Sequence, residues 1–202
     1  MLRVGLTGSI GVGKSFVSGV LAGLGCRVLD ADATAREVVQ RGSAALRELV
    51  TTFGAEILQN DGALDRAKLA AIVFGDSSKR LALNSILHPY IIAQQDQQLR
   101  EWEALDPDGI AVVDAALMIE SGGYKRFDKL IVVHCQPETQ LERLMARDKL
   151  SKAEAERRTS AQMPQEEKKK FADFLIDTSA GFEEARRATV DVYAKLRGLV
   201  ES

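Results

Sequence analysis

Cysteine and histidine are scarce in this sequence, with two of each in 202 residues. Cys26 and Cys135 both sit in apolar runs, so a disulfide scaffold is excluded and each reads as a small core residue. His88 and His134 lie far apart in the chain, which also excludes a four-ligand zinc site. No apolar stretch reaches the roughly 18 residues of a membrane span. A surplus of one charge is missing too: 27 lysines and arginines face 29 aspartates and glutamates, a formal net charge of −2. Proteins that coat nucleic acid or anionic membranes need a basic surplus, so neither is an expected partner and any basic site must be local. The apolar N-terminal segment is glycine-rich and lacks a cleavage site after a long apolar core. It reads as a first strand rather than a signal peptide, and the expected compartment is the cytoplasm. No internal repeat, low-complexity segment or inter-domain linker interrupts the chain. What is present is an ordinary globular composition, 46% hydrophobic and 28% charged.

Short apolar runs alternate with longer helical stretches, the signature of a parallel sheet with crossover helices. Strands are expected at Leu2–Leu6, Arg27–Leu29, Ile110–Asp114, Lys129–Cys135 and Phe174–Asp177. A helix is expected over Lys14–Leu24, stopped by Gly25, and an amphipathic helix over Phe182–Val200 closes the chain. The stretch between the second and third strands has no strand signal. It reads as helices Ala31–Gln40, Ala44–Phe53, Asp65–Phe74 and about Asp76–Glu103, with Asp65 as an N-cap and Pro89 as a kink or restart. A simple crossover needs far fewer residues, so a helical subdomain is expected there. A second excursion, 138–170, is charged, helical and poor in large apolar residues, as a mobile lid would be. Lys168, Lys169 and Lys170 in it read as a solvated run.

Gly8-Ser9-Ile10-Gly11-Val12-Gly13-Lys14-Ser15 fits the phosphate-binding pattern G-x-x-x-x-G-K-[ST]. Gly8, Gly11 and Gly13 lack a Cβ, so the backbone can curl and turn successive N–H groups inward. The helix that follows adds its N-terminal dipole and unpaired donors, which suit a polyanion. Lys14 can bridge β- and γ-phosphates, and the Ser15 hydroxyl can reach Mg²⁺. An apolar strand before the loop and a helix after it supply the context the pattern requires, so ATP or GTP binding is expected.

No guanine-reading N-K-x-D motif occurs. Asp30 and Asp32 follow the second strand, where a carboxylate can orient or accept the proton of an attacking hydroxyl. Their alternative readings are a helix cap for Asp30 and a first-turn dipole partner for Asp32. Arg143 and Arg147, one helical turn apart, either meet the developing phosphate charge under a closing lid or form a solvated face with Glu142 and Asp148. Asp114 ends an apolar strand, a place for a carboxylate that holds Mg²⁺ through water, or else for a turn residue. His88 before Pro89 is either a backbone-bonded kink residue or a contact to an acceptor molecule.

The joint pattern resembles the dephospho-coenzyme A kinase family. It runs from Gly5-Leu-Thr-Gly8 to Ser15 and Val28-Leu-Asp30-Ala-Asp32 through Phe53-Gly54, Asp61-Gly62-Ala-Leu-Asp65-Arg66, Val73-Phe74 and Ile86-Leu-His88-Pro89. It continues with Asp114-Ala-Ala-Leu117-Met-Ile-Glu120, Gln140-Leu-Glu-Arg143-Leu-Met-Ala-Arg147, Arg158 to Gln162, and Ala172-Asp173-Phe-Leu-Ile-Asp177. The resemblance covers nearly the whole chain, in order. It implies an α/β fold of the P-loop, nucleotide-kinase-like type: a parallel five-stranded sheet flanked by helices, with core segments 1–31, 104–137 and 171–202. It also implies a helical acceptor subdomain over about 32–103 and a lid over about 138–170. The implied reaction is phosphorylation of the ribose 3′-hydroxyl of dephospho-coenzyme A by ATP with Mg²⁺, the last step of coenzyme A synthesis. In that family Asp32 matches the proposed base, and Arg143 and Arg147 match lid arginines acting with Lys14. Gly8, Gly11, Val12, Gly13, Lys14, Ser15 and Phe16 match the nucleotide site. Asp32, His88, Leu117, Glu120, Arg158 and Gln162 match acceptor contacts, and Ser15 and Asp114 the Mg²⁺ site. Four positions depart from the family pattern: Phe16 for Thr, Ala116 for Pro, Ile119 for Phe, and Thr178 for the commoner Asn.

Overall fold

The computed structural model describes residues 1–201. In chain order, β1 (Leu2–Gly8) leads to α1 (Lys14–Gly23), and β2 (Arg27–Asp30) leads to α2 (Ala31–Glu37), α3 (Ala44–Phe53), α4 (Arg66–Val73) and α5 (Ser77–Leu105). Next come β3 (Ile110–Asp114), β4 (Lys129–His134), α6 (Pro137–Asp148), α7 (Lys152–Ser160) and α8 (Gln165–Lys169). The chain closes with β5 (Phe174–Asp177) and α9 (Phe182–Val200). The five strands form one parallel sheet in the order β2-β3-β1-β4-β5. The expected elements are all there, with ends shifted by a few residues. Contacts divide the chain into two compact units: Met1–Asp30 with the chain from Trp102 onward, and Ala31–Glu101.

The first unit holds the sheet. Every residue of β3 is buried, which is why it reads as a continuous apolar run rather than an alternating one. One sheet face presents Val4, Leu6, Val112, Ile131, Val133 and Ile176 to Val17 and Leu21 of α1 and Val192 and Leu196 of α9. Their spacing on α9 is the three-to-four-residue repeat of a helix with one apolar face. The other face is also tightly closed. A Cβ on Gly5 would come within 2.5 Å of Met118 Sδ and 2.9 Å of Leu130 Cδ1, so glycine in the middle of β1 is the condition for that packing.

The second unit has its own core, built from Val38, Val39, Leu46, Leu49, Phe53, Ile57, Leu64 and Leu69. Two of its helices, α3 and α4, start at side-chain caps: Ser43 accepts from the Leu46 amide (3.1 Å) and Asp65 from the Lys68 amide (3.0 Å). Asp65 is thus a cap, as expected. Pro89 does not restart the helix, because α5 runs through it from Ser77 to Leu105. Proline deletes only one i→i−4 hydrogen bond, and α5 has enough regular turns on both sides to carry that loss. Among the described residues, no helix is long and apolar enough to cross a membrane.

Candidate active site

The loop between β1 and α1 is shaped by glycines that cannot be replaced cheaply. Gly11 (φ 82°) and Gly13 (φ 85°) have left-handed backbones, and Gly13 is the N-cap of α1. A Cβ on Gly8 would lie 2.6 Å from the Val133 carbonyl oxygen. At the start of α1 the Phe16 amide already turns to the Gly13 carbonyl (3.0 Å), which leaves the Lys14 and Ser15 amides at the helix N-terminus, where an anion is favoured. Ser15 is exposed on this first turn. The residues fit a polyphosphate.

Lys14 reaches the C-terminal edge of the sheet, where its ammonium pairs with the Asp114 carboxylate. Both side chains are largely withdrawn from water, 17% and 10% exposed, so each needs the other. Asp30 lies beside Asp114 in strand register, an exposed carboxylate at the end of β2. Ser15 and Asp114 offer hard oxygen donors. No group of three or more His, Cys, Asp or Glu side chains able to hold a metal occurs among the described residues. That donor set fits Mg²⁺, which binds through one or two carboxylates, waters and substrate phosphates rather than in an all-protein cage.

The charged excursion after β4 is anchored on the loop. Gln140 of α6 donates to the Ile10 carbonyl (2.7 Å), and Gln162 accepts from the Ile10 amide (2.8 Å). Gln165 links the two elements further, donating to Gln140 (2.7 Å) and accepting from the Cys135 amide (3.0 Å). Arg143 stands beside the loop: a Cβ on Gly13 would lie 3.6 Å from its Nη1. Both its η nitrogens donate to Thr178, to the hydroxyl at 2.8 Å and to the carbonyl at 2.7 Å. Arg143 does not pair with Glu142. Arg147 takes the other reading, with Nε 2.8 Å and Nη2 3.1 Å from Asp148. Arg158 donates to the same carboxylate at 3.0 Å. The hydrogen bond from Arg147, desolvation working against it, and the charges of Arg147 and Arg158 hold the Asp148 carboxyl below its ordinary range.

Lys168 corrects the reading of a solvated lysine run. It is 0% exposed and donates to the Ala116 carbonyl (2.8 Å) and to Glu120 Oε1 (2.9 Å). Only its neighbours face water, Lys169 on Glu166 and Lys170 on Glu167. A run of three lysines has no periodic signal to mark the one that turns inward. Glu120 also accepts from the Met163 amide (3.2 Å), so Lys168 and Glu120 tie α8 to the segment that follows Asp114. Leu117 in that segment is 53% exposed.

Lys14 with Asp114, Arg143 with Gly13, and Gln162 with Ile10 are therefore brought together in the first unit. Asp32 and His88 belong to the second. Asp32 is exposed in the first turn of α2, two residues past the end of β2. His88 is exposed on α5, one residue before Pro89. Phe16 packs on Phe182 (centroids 4.9 Å apart), with the Arg186 guanidinium 5.7 Å from its ring centre. Sequence reasoning missed Gln140, Gln165 and Lys168 as parts of this arrangement, and Thr178 stood out only as a departure from a pattern.

A phosphate loop opening the first helix of a parallel β2-β3-β1-β4-β5 sheet, with arginine beside it from a helical excursion, defines a P-loop kinase fold. Shikimate kinase from Acinetobacter baumannii shares it, with a TM-score of 0.51 over 97% of this chain and 93% of that one at 17% identity. The dephospho-CoA kinase family model matches residues 2–184. The dephospho-CoA kinase of Geobacter sulfurreducens is 46% identical over 95% of this chain and 97% of its own length. The solved dephospho-CoA kinase from Campylobacter jejuni has a TM-score of 0.74 at 29% identity, covering 97% of both chains. The chain belongs to the dephospho-CoA kinase family.

Proposed function

We propose that this protein transfers the γ-phosphoryl group of ATP to the ribose 3′-hydroxyl of dephospho-coenzyme A, giving coenzyme A and ADP. The observation that carries the reading is the loop from Gly8 to Ser15, opening α1 with Lys14 and Arg143 beside it, in a chain of this family. The loop amides of Gly11, Val12, Gly13 and Lys14 hold the phosphates, and Phe16 belongs to the same nucleotide site. Lys14 leaves Asp114 for the β- and γ-phosphates when ATP binds. Ser15 and Asp114 would hold Mg²⁺, which would neutralise phosphate charge when bound. The acceptor oxygen loses its proton to Asp32 as its bond to γ-phosphorus forms and the bridging P–O bond to ADP breaks. Lys14, Arg143 and Arg147 meet the charge that spreads over the moving phosphoryl group.

Asp148 holds Arg147 aside until the lid over about 138–170 closes and water is excluded. The helical unit over about 32–103 takes the acceptor, with His88 presented to it. Leu117, Glu120, Arg158 and Gln162 complete the acceptor site. The reading also places the enzyme in the cytoplasm, with no nucleic-acid partner, as the near-neutral charge favours. A coupled ADP-release assay over a panel of acceptors tests it. Turnover that requires dephospho-coenzyme A is the expected result. Turnover only with nucleoside monophosphates or other small alcohols, or ATP binding without any ADP release, would overturn it.

A further inference from the structure

Thr178 occupies an unusual junction. It follows β5 and is 3% exposed, yet its hydroxyl touches three elements. It donates to the Val12 carbonyl inside the phosphate loop (2.7 Å) and accepts from Arg143 Nη1 (2.8 Å), with the His134 carbonyl at 3.4 Å. Its own carbonyl takes Arg143 Nη2 (2.7 Å), and its amide donates to His134 at the end of β4 (3.0 Å). The hydroxyl hydrogen and one of its two lone pairs are thus both used. The two-point grip fixes the plane of the guanidinium, because two donors on a rigid fork allow a single orientation. The loop backbone and the arginine are consequently set relative to each other by one side chain.

We infer that Thr178 is a positioning residue for phosphoryl transfer, holding Arg143 in the attitude that meets the transferring group while bracing the loop at Val12. The inference rests on the reading of Arg143 given above and adds a residue to it. The short hydroxyl of Thr178, carried on Cβ, meets both partners directly.

Thr178→Val keeps the shape and removes both hydroxyl hydrogen bonds. Its expected effect is a loss of kcat on the order of 10–100-fold, the scale of a misplaced catalytic group, with KM for ATP changed by about twofold or less. Thr178→Ser restores kcat. Arg143→Ala alone lowers kcat, and adding Thr178→Val to it costs nothing further, because the two residues act as one unit. Should the valine variant not fold, Thr178→Cys, near in shape and weaker in hydrogen bonding, gives the same reading with a smaller loss. Normal kcat in Thr178→Val or Thr178→Cys overturns the inference, as does a loss confined to KM for ATP. An impaired Arg143→Ala whose loss adds fully to that of Thr178→Val overturns it alone. Normal kcat in Arg143→Ala overturns the reading of Arg143 and this inference with it.

Discussion

Two lysines show how one residue type is put to opposite uses. Lys14 pairs with a carboxylate at the strand ends, from which an incoming phosphate can draw it. Replacing Lys14 by alanine should lower turnover at least about 100-fold, the usual loss when one preorganised charge partner is removed from a reacting oxygen. Steady-state ADP release measures it. Lys168 is sealed in, with Glu120 and the Ala116 carbonyl as its partners. Lys168→Ala should destabilise the protein by about 2–3 kcal/mol, because it empties a fully buried volume and removes the hydrogen bond to the Ala116 carbonyl. An unmoved midpoint in urea unfolding would contradict that burial. Asp32→Asn belongs at the same scale. It should reduce kcat about 100-fold or more, typical for loss of a general base, while ATP affinity by calorimetry changes little. Near-normal turnover would remove Asp32 from the mechanism. Lys14 was legible in the sequence because its role follows from its neighbours in the chain. Lys168 was not, because its partners are 48 and 52 residues away and only packing brings them to it.

Among the elements, α5 and α6 show the limits of local reading in two ways. Pro89 is a strong local signal for a break, and α5 absorbs it. Pro89→Ala should therefore restore a helix hydrogen bond and raise stability by about 1 kcal/mol or more, seen as a higher melting temperature. A lower one would show that the proline ring is itself needed in the packing. The charged character of α6 was legible, as was its pair of arginines one turn apart. Which arginine meets the loop was not. Arg143 shares a face with Gln140, which binds Ile10, whereas Arg147 points to Asp148. The charged excursion is bonded to the phosphate loop at its root, through Gln140 and Gln162.

At the scale of the whole molecule, pH acts through a few groups withdrawn in part or whole from water. Burial, with the Lys169 charge adding to it and Asp177 and Glu166 opposing, holds the His134 imidazole below its ordinary range. The unfolded chain then binds this proton more readily than the folded one. Stability from His134 is intact above about pH 6.5 and is lost as pH falls toward the lowered folded value. Burial, eased by Arg197, pushes the Cys26 thiol up to about 11. Its contribution is intact below the ordinary thiol value of about 9 and is lost as pH rises from there toward 11. Urea midpoints should therefore fall on both sides of a plateau between about pH 7 and 9. His134→Gln should flatten the acid side near pH 6, and an unchanged slope there would exclude the histidine as its cause.

The alternation of strand and helix, the bent glycine loop, the caps and the closing amphipathic helix were settled by the sequence alone, because each depends on residues within one or two turns of one another. The pairing of Lys14 with Asp114, the inward turn of Lys168 and the hold of Thr178 on Val12, 166 residues away, were decided by the tertiary structure. A hydrogen bond forms with whatever group the packed strands and helices bring within about 3 Å, and no spacing along the chain encodes that distance.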